Sequence, residues 1–373
     1  MCFVIPAKAG IHDLTMPSYQ ENRKENRKMK VLKTAVIGLG RIGWQFHVPN
    51  VAKHDGFDLV AVVDPLQERL DEAKSKFGAK GYTSYDQLLN EEELDLVVIA
   101  SPTKFHADHA IAAFENGCDV FCDKPMAPTL AEADRMIEAM KEHGRKFMVY
   151  QPHRAGVGAV ALKELLSQNL IGPVYMIKCT RTAYARRNDW QAFREHGGGM
   201  LNNYGAHYID QSLYLAGSPV KKISCALRTI ASLGDADDVV KAVIETENGI
   251  ILDVDINMAA AQPFPLWQVL GKFGSLVMDE KQRIWRARYF RPEELEEVAV
   301  QDGLAAKNRR YGSGETIPWK TDDFPLSHFQ PVNFYEKCYD YFALDGEPYV
   351  PIAETREVMR VLDACRKDSA SGI

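Results

Sequence analysis

The chain has 373 residues, 46% hydrophobic and 26% charged, enough for a well-buried core and for two domains more readily than one. A formal charge of -6 without a long basic tract argues against nucleic acid or an anionic membrane as the main partner, and no apolar run approaches the roughly 20 residues of a membrane span, so a small-molecule ligand is expected. Seven cysteines with no Cys-x-x-Cys spacing indicate neither a disulfide framework nor a structural zinc and fit a reducing cytoplasm.

Residues 1–28 end in a polar, doubled Glu-Asn-Arg-Lys and have neither the order nor the length of a secretory signal. They are expected to be a leader outside the fold, either with Met29 as the natural start or as a real but disordered segment. From 29 to 152, short β-branched runs alternate with helical stretches, the pattern of a parallel sheet joined by crossover helices. Strands are predicted at 33–38, 58–64, 95–100, 119–122 and 147–150, apolar on both sides as helices on both faces require. Helices are predicted to start near Ile42, Leu66, Lys104 and Leu130, the last behind a capping box of Thr129 and Glu132.

Between the first strand and its helix stands Gly38-Leu39-Gly40-Arg41-Ile42-Gly43. Gly38 permits the tight turn, Gly40 lets the backbone approach a pyrophosphate without a Cβ, and Gly43 lets the helix pack close to the sheet; the helix N-terminus then offers free N–H groups to phosphate. Asp64 ends the second strand, where a carboxylate binds the adenosine ribose hydroxyls and repels a 2′-phosphate. NAD is therefore preferred over NADP, with Arg41 and Arg69 as routes by which a 2′-phosphate could still be held. Ser101, Thr103 and His106 follow the strand at 95–100 and lie at the carboxyl edge of the sheet, where such folds bind ligands; the cofactor set is completed by Arg41, Ile42, Asp123 and Lys124. No metal site is expected: His106 and His109 share a helix turn without a third ligand, and His109 reads as a surface residue.

Lys124 ends the strand at 119–122 and precedes Pro125, which forces an extended backbone and projects the lysine toward the cleft. Two roles are open: removing a hydroxyl proton, which needs a pKa lowered by desolvation or a cationic neighbour, or staying charged and polarising a carbonyl.

From about 155 the pattern changes to a helix at 157–168, a strand at 173–184, a helix at 199–216 and then consecutive strands to about 290, predicting a second α+β domain, 153–373, on an open, mostly antiparallel sheet. Leu252, Val254, Ile256 and Met258 alternate with Asp253, Asp255 and Asn257, the period of a strand with one polar face. Residues 290–325 read as a long excursion, and helices at 331–344 and 353–368 close the chain. Within the helix that follows Gly197-Gly198-Gly199, Asn203, His207 and Asp210 fall at i, i+4 and i+7 on one face. His207 is assigned as proton donor or acceptor at the reacting oxygen, and Asn203 as the group orienting substrate hydroxyls. Gln151, His153 and Arg154, with Arg181, Tyr184, Arg187 and Trp190, are further candidates for substrate contact, arginine for a carboxylate and an aromatic ring for a sugar face; Trp190 reads more readily as packing. The substrate set is Asn203, Arg154, Gln151, Tyr184 and Asp210.

With these residues assembled, the chain resembles the glucose-fructose oxidoreductase and inositol dehydrogenase family, Gfo/Idh/MocA, from about Lys33 to its C-terminal helix. The resemblance rests on Gly-Leu-Gly-Arg-Ile-Gly, on Ser-Pro-Thr-Lys-Phe-His, on Asp123-Lys124-Pro125 where the family usually has Glu-Lys-Pro, and on the stretch from the glycines to His-x-x-Asp. It implies a Rossmann domain followed by an open-sheet substrate domain, NAD or NADP as cofactor, and sugars, polyols or their keto forms as substrates. By motif, Lys124 takes the role of the catalytic lysine and His207 that of the catalytic histidine. Many members carry Asp where this chain has Asn203; an amide cannot relay a proton, so Lys124 or His207 alone would serve as base. The expected function is an NAD(P)-dependent dehydrogenase acting on a secondary hydroxyl of a sugar, glycoside or inositol. A glycosidase that recycles its NAD and a non-catalytic nucleotide sensor are the alternatives. A homodimer or homotetramer is expected, since symmetric pairing covers an open sheet.

Overall fold

The computed structural model describes residues 29–300 and 315–371; the expected leader, 1–28, and the middle of the expected excursion lie outside the described residues. The first half winds through β1 (Leu32–Ile37), a wide helical turn at Gly43–His47, α1 (Val48–Lys53), β2 (Phe57–Val63), α2 (Gln67–Phe77), β3 (Lys80–Tyr82), α3 (Tyr85–Glu91), β4 (Leu96–Ile99), α4 (His106–Glu115), β5 (Asp119–Asp123), α5 (Leu130–Glu142) and β6 (Phe147–Tyr150). All strand pairs are parallel and the order is β3-β2-β1-β4-β5-β6, the doubly wound arrangement expected of a dinucleotide fold. The unforeseen elements are β3 and α3: β3 has three residues with only Tyr82 buried, too little for a periodic signal. Thr129 caps α5 as expected, its hydroxyl accepting from the Glu132 N–H at 3.2 Å.

The second half comprises α6 (Pro152–Ala155), α7 (Val157–Ser167), β7 (Val174–Thr182), α8 (Ala206–Ala216), β8 (Val220–Arg228), β9 (Val239–Thr246), β10 (Ile251–Asn257), β11 (Trp267–Gly271), β12 (Gly274–Asp279), β13 (Ile284–Tyr289), β14 (Lys320–Pro325), α9 (Phe334–Leu344) and α10 (Ile352–Ser371). Its sheet runs β14-β13-β12-β11-β7-β10-β9-β8, antiparallel except for the β7–β10 pair. The alternation read in β10 is realised: Leu252, Val254 and Ile256 are fully buried, each worth about 1.5–3 kcal/mol of burial, while Lys241 holds Asp253 on the opposite face. The excursion contains one strand that was not anticipated, β14, which pairs with β13 at the sheet edge and is tied there by Arg286 on Asp323 at 2.8 Å. Its sequence, Lys-Thr-Asp-Asp-Phe-Pro, lacks apolar alternation because it buries little.

Alternation along β1 sends Ala35 and Ile37 to a core covered by α4 and α5, and Val36 to a second core that α1 and α9 cover. The chain therefore returns: Phe334, Tyr335, Cys338 and Phe342 of α9 pack on the first sheet after the second is complete. No helix among the described residues is long and apolar enough to cross a membrane.

Candidate active site

The carboxyl ends of β1, β4, β5 and β6 open onto one edge, and the helical stretch leading into α8 faces them. At β1, Gly38 has φ +92, and a Cβ there would meet the Ala100 carbonyl at 2.7 Å. A Cβ on Gly43 would fall 1.8 Å from the Gly38 carbonyl oxygen, whereas one on Gly40 would meet nothing within 4 Å. Two glycines are thus demanded by the fold, and the third leaves open backbone where a pyrophosphate would lie. These residues fit a dinucleotide. Arg41 is exposed beside them, and Ile42 begins the wide turn in helical conformation.

Asp64 is 2% exposed, and its carboxylate accepts from Leu39 N–H at 2.8 Å and Leu66 N–H at 3.0 Å while Arg69 lies 3.1 and 3.4 Å from its two oxygens. Three donor groups thus already surround the carboxylate, and Arg69, whose side chain is 42% exposed, is the one that a ribose competes with most directly. The structure moves two residues out of their expected surroundings. His106 is buried with its Nδ1 at 3.0 Å from the Pro125 carbonyl and its Nε2 at 2.8 Å from the Ser101 carbonyl; its burial-lowered pKa leaves one N–H to donate to one of them at a time, and the ring links the loops after β4 and β5. His109 is not a surface residue: it is half-buried, 3.0 Å from the Ser101 hydroxyl, and burial lowers its pKa to about 4. Thr103 stands partly exposed at the start of the turn into α4.

At the end of β5, Asp123 accepts from the Lys124 N–H at 2.8 Å, and burial raises its carboxyl to about 6 against the opposing pull of Lys124. The Lys124–Pro125 bond is cis. The Lys124 amine donates to the Asn203 carbonyl at 2.8 Å and lies 3.3 Å from Asn203 Oδ1. Burial lowers its pKa from 10.5 to about 8; Asp123 opposes this and Arg41 adds to it.

The helical stretch holding Asn203 starts where its glycines permit. A Cβ on Gly198 would lie 2.3 Å from the Gln191 carbonyl, one on Gly199 2.4 Å from Asp237, whose carboxylate then accepts from the Leu201 N–H at 2.8 Å. The stretch opens with a wide turn, Leu201–Gly205, before α8, and that turn aims the Asn203 carbonyl at Lys124. The Asn203 amide is fixed from its other side by Gln191 Oε1 at 3.3 Å, a residue that no sequence signal marks. His207 stacks on His153 with ring centroids 3.9 Å apart, and its Nδ1 is buried without a hydrogen-bond partner. Burial, then Lys124 and His153, holds His207 well below the usual histidine range; His153 is lowered to about 4 by burial, then Lys124 and Arg181. Both rings are neutral near pH 7.

Two residues expected at the substrate do not reach it. Arg154 and Asp210, 1% and 0% exposed, form a bidentate pair at 2.7 and 2.6 Å, and Arg154 also binds Glu354. Spacing alone placed Asp210 with His207, but burial forced it to find a countercharge, and the resulting clamp ties α6 and α8 to α10. Gln151 is buried and donates to the Ala206 carbonyl at 3.4 Å, leaving Oε1 without a partner. Tyr184 stands 64% exposed on the loop after β7. Trp190, beside Gln191, is 50% exposed and so is not the packing residue expected.

Comparison with known proteins agrees with this architecture. Residues 32–151 match the oxidoreductase family with an NAD-binding Rossmann fold, and residues 159–277 match the GFO/IDH/MocA C-terminal domain. A D-glucoside 3-dehydrogenase of Escherichia coli is 28% identical over 195 residues, 51% of this chain and 56% of that protein. A scyllo-inositol 2-dehydrogenase (NAD(+)) of Bacillus subtilis is 29% identical over 254 residues, 66% of this chain and 73% of its own length. The chain spans a little more than half the length of the first curated relatives it matches. Among solved structures, an NAD-binding protein from Listeria innocua superposes with a TM-score of 0.77 and 26% identity, covering 92% of this chain and 96% of that one. The chain belongs to the Gfo/Idh/MocA oxidoreductase family.

Proposed function

We propose that this Gfo/Idh/MocA chain moves a hydride between NAD and a secondary hydroxyl or keto carbon of a sugar, glycoside or inositol, with Lys124 handling the hydroxyl proton. The observation that carries the reading is the Lys124 amine, held at 2.8 Å by the Asn203 carbonyl with its pKa lowered to about 8, at the edge where the glycine turn opens. A bound nicotinamide supplies the hydride acceptor or donor. Gly38, Gly40, Gly43, Arg41, Ile42, Thr103 and Asp64 would hold the dinucleotide, with Ser101 and Asp123 shaping the loops around it.

Above its pKa, the Lys124 amine takes the proton of a substrate hydroxyl; below it, the ammonium returns a proton to a carbonyl oxygen. The donor bond to Asn203 survives in both states, so the nitrogen keeps its position through the proton transfer. His207 offers a neutral ring to a substrate hydroxyl, its Nδ1 buried and unpaired on the protein side, and Asn203 fixes the lysine through its carbonyl more than it reads the substrate. Tyr184 and Trp190 are exposed rings of the kind that packs on a sugar face. The buried, unpaired Gln151 Oε1 accepts from a second hydroxyl.

The test is nicotinamide absorbance with purified protein, NAD or NADP, and a panel of inositols, aldoses and glycosides. Turnover with NAD that falls by a factor of about 100 or more in Lys124→Ala while NAD binding persists supports the reading. Turnover that survives the substitution, or an absence of turnover on the whole panel with NAD bound, sinks it.

A further inference from the structure

The site collects more basic groups than acidic ones. Lys124, His153, His207 and Arg181 converge on it, while the position nearest Lys124 on the facing helical turn is an amide, Asn203. The acidic group beside Lys124, Asp123, is buried at the end of β5 with its Oδ1 accepting the Lys124 N–H.

Arg181 is the residue of interest. It lies near the end of β7, paired in register with Ile256, and continues the column Ile177, Cys179, Arg181 that faces the helices. Where the apolar column ends, the arginine emerges. Its guanidinium packs over the Tyr204 ring at 5.3 Å, and Tyr204 directly follows the Asn203 that holds Lys124. No carboxylate among the described residues pairs with Arg181; Tyr204 hydrogen-bonds its side chain, the exposed Glu280 exerts its field from a distance, and Nε is buried without a hydrogen-bond partner. A guanidinium is always charged, and a buried N–H left unpaired carries a desolvation cost that a ligand acceptor would remove. Three of the seven buried side-chain atoms without partners among the described residues belong to this one region: Gln151 Oε1, Arg181 Nε and His207 Nδ1.

We infer that the substrate is a sugar acid whose carboxylate is taken by Arg181 with His153 beside it, leaving a ring hydroxyl to Lys124 and His207. The inference rests on the oxidoreductase reading above and narrows its substrate class. A single planar guanidinium flanked by neutral imidazoles matches a planar monoanion, to which it donates two parallel N–H bonds. The neutral rings contribute hydrogen bonds rather than charge, so a phosphate dianion would be under-compensated here.

The experiment is calorimetric titration of the full chain with NADH bound, using D-glucuronate and D-galacturonate against D-glucose, D-galactose, the uronate methyl esters and the hexose 6-phosphates. Expected is at least tenfold tighter binding of one uronate than of its neutral parent and its ester, lost in Arg181→Met and partly kept in Arg181→Lys, with NADH affinity and thermal midpoint unchanged in both variants. If neither uronate out-binds its parent, if the preference survives Arg181→Met, or if a 6-phosphate binds tightest, the inference is overturned. Because the readout is binding, a failed uronate preference beside Lys124-dependent turnover of neutral sugars removes only this inference. Uronate preference without turnover of any sugar removes the dehydrogenase reading instead.

Discussion

Replacing Asn203 by aspartate tests why Lys124 has a low pKa. Asn203 Oδ1 lies 3.3 Å from the amine, so Asn203→Asp puts a carboxylate at that distance with nearly the same shape. At an effective dielectric of about 20, the pair gains about 5 kcal/mol, and allowing half of that for solvent and relaxation leaves about 2.5 kcal/mol. At about 1.36 kcal/mol per unit, the Lys124 pKa rises by about two units, back into the ordinary lysine range. The assay is reductive methylation with isotope-labelled formaldehyde and an NMR titration of the methylated lysines, with Lys124→Ala to assign the resonance. The native resonance should titrate near its lowered value of about 8 and the variant's about two units higher. The alkaline limb for alcohol oxidation should move the same way, because the neutral amine is the base and it then appears only at higher pH. A native midpoint in the ordinary lysine range, or a variant that titrates where the native protein does, would refute the reasoning.

Oxidation by the native protein should rise with pH through about 8 and the reverse reduction should fall there, because one direction needs the amine and the other the ammonium; parallel profiles would contradict this. Gly43→Ala should cost about 3 kcal/mol in urea unfolding, since its Cβ meets a backbone oxygen at 1.8 Å, whereas Gly40→Ala should change stability by less than about 0.5 kcal/mol yet weaken NAD binding. Arg154→Met strands two carboxylates, Asp210 fully buried, and should cost about 3–5 kcal/mol by the same measurement; a loss under about 1 kcal/mol would show that the clamp is not structural. Arg69→Ala uncovers Asp64, so fluorescence titration should find NAD affinity held or improved and NADP affinity lowered about tenfold, and equal effects on both would refute the proposed contest for that carboxylate.

Much of this was legible in the chain because it is local chemistry. A glycine at a positive φ, a carboxylate ending a strand and a lysine before proline each announce themselves within a few residues, and the strand and helix periods around them place the edge of the sheet. Short elements were not legible: β3 and β14 bury too little apolar surface to leave a period. Helical spacing also misled at Asp210, which shares a face with His207 yet turns to Arg154, because a carboxylate at 0% exposure must be paired and the partner comes from a different element.

The sequence by itself determined the α/β plan with its two sheets, the glycine turn after β1 and the place of Lys124 at the end of β5. Only the tertiary structure decided which polar residues face the site and which are spent inside the protein. His106, Arg154 and Asp210 are held by partners within the protein, while His153, Arg181 and Gln191 are brought to the site from three separate segments. The reason is that residue type and spacing set what a side chain can bond, but desolvation sets what it must bond, and the partners available are known only once distant segments have packed.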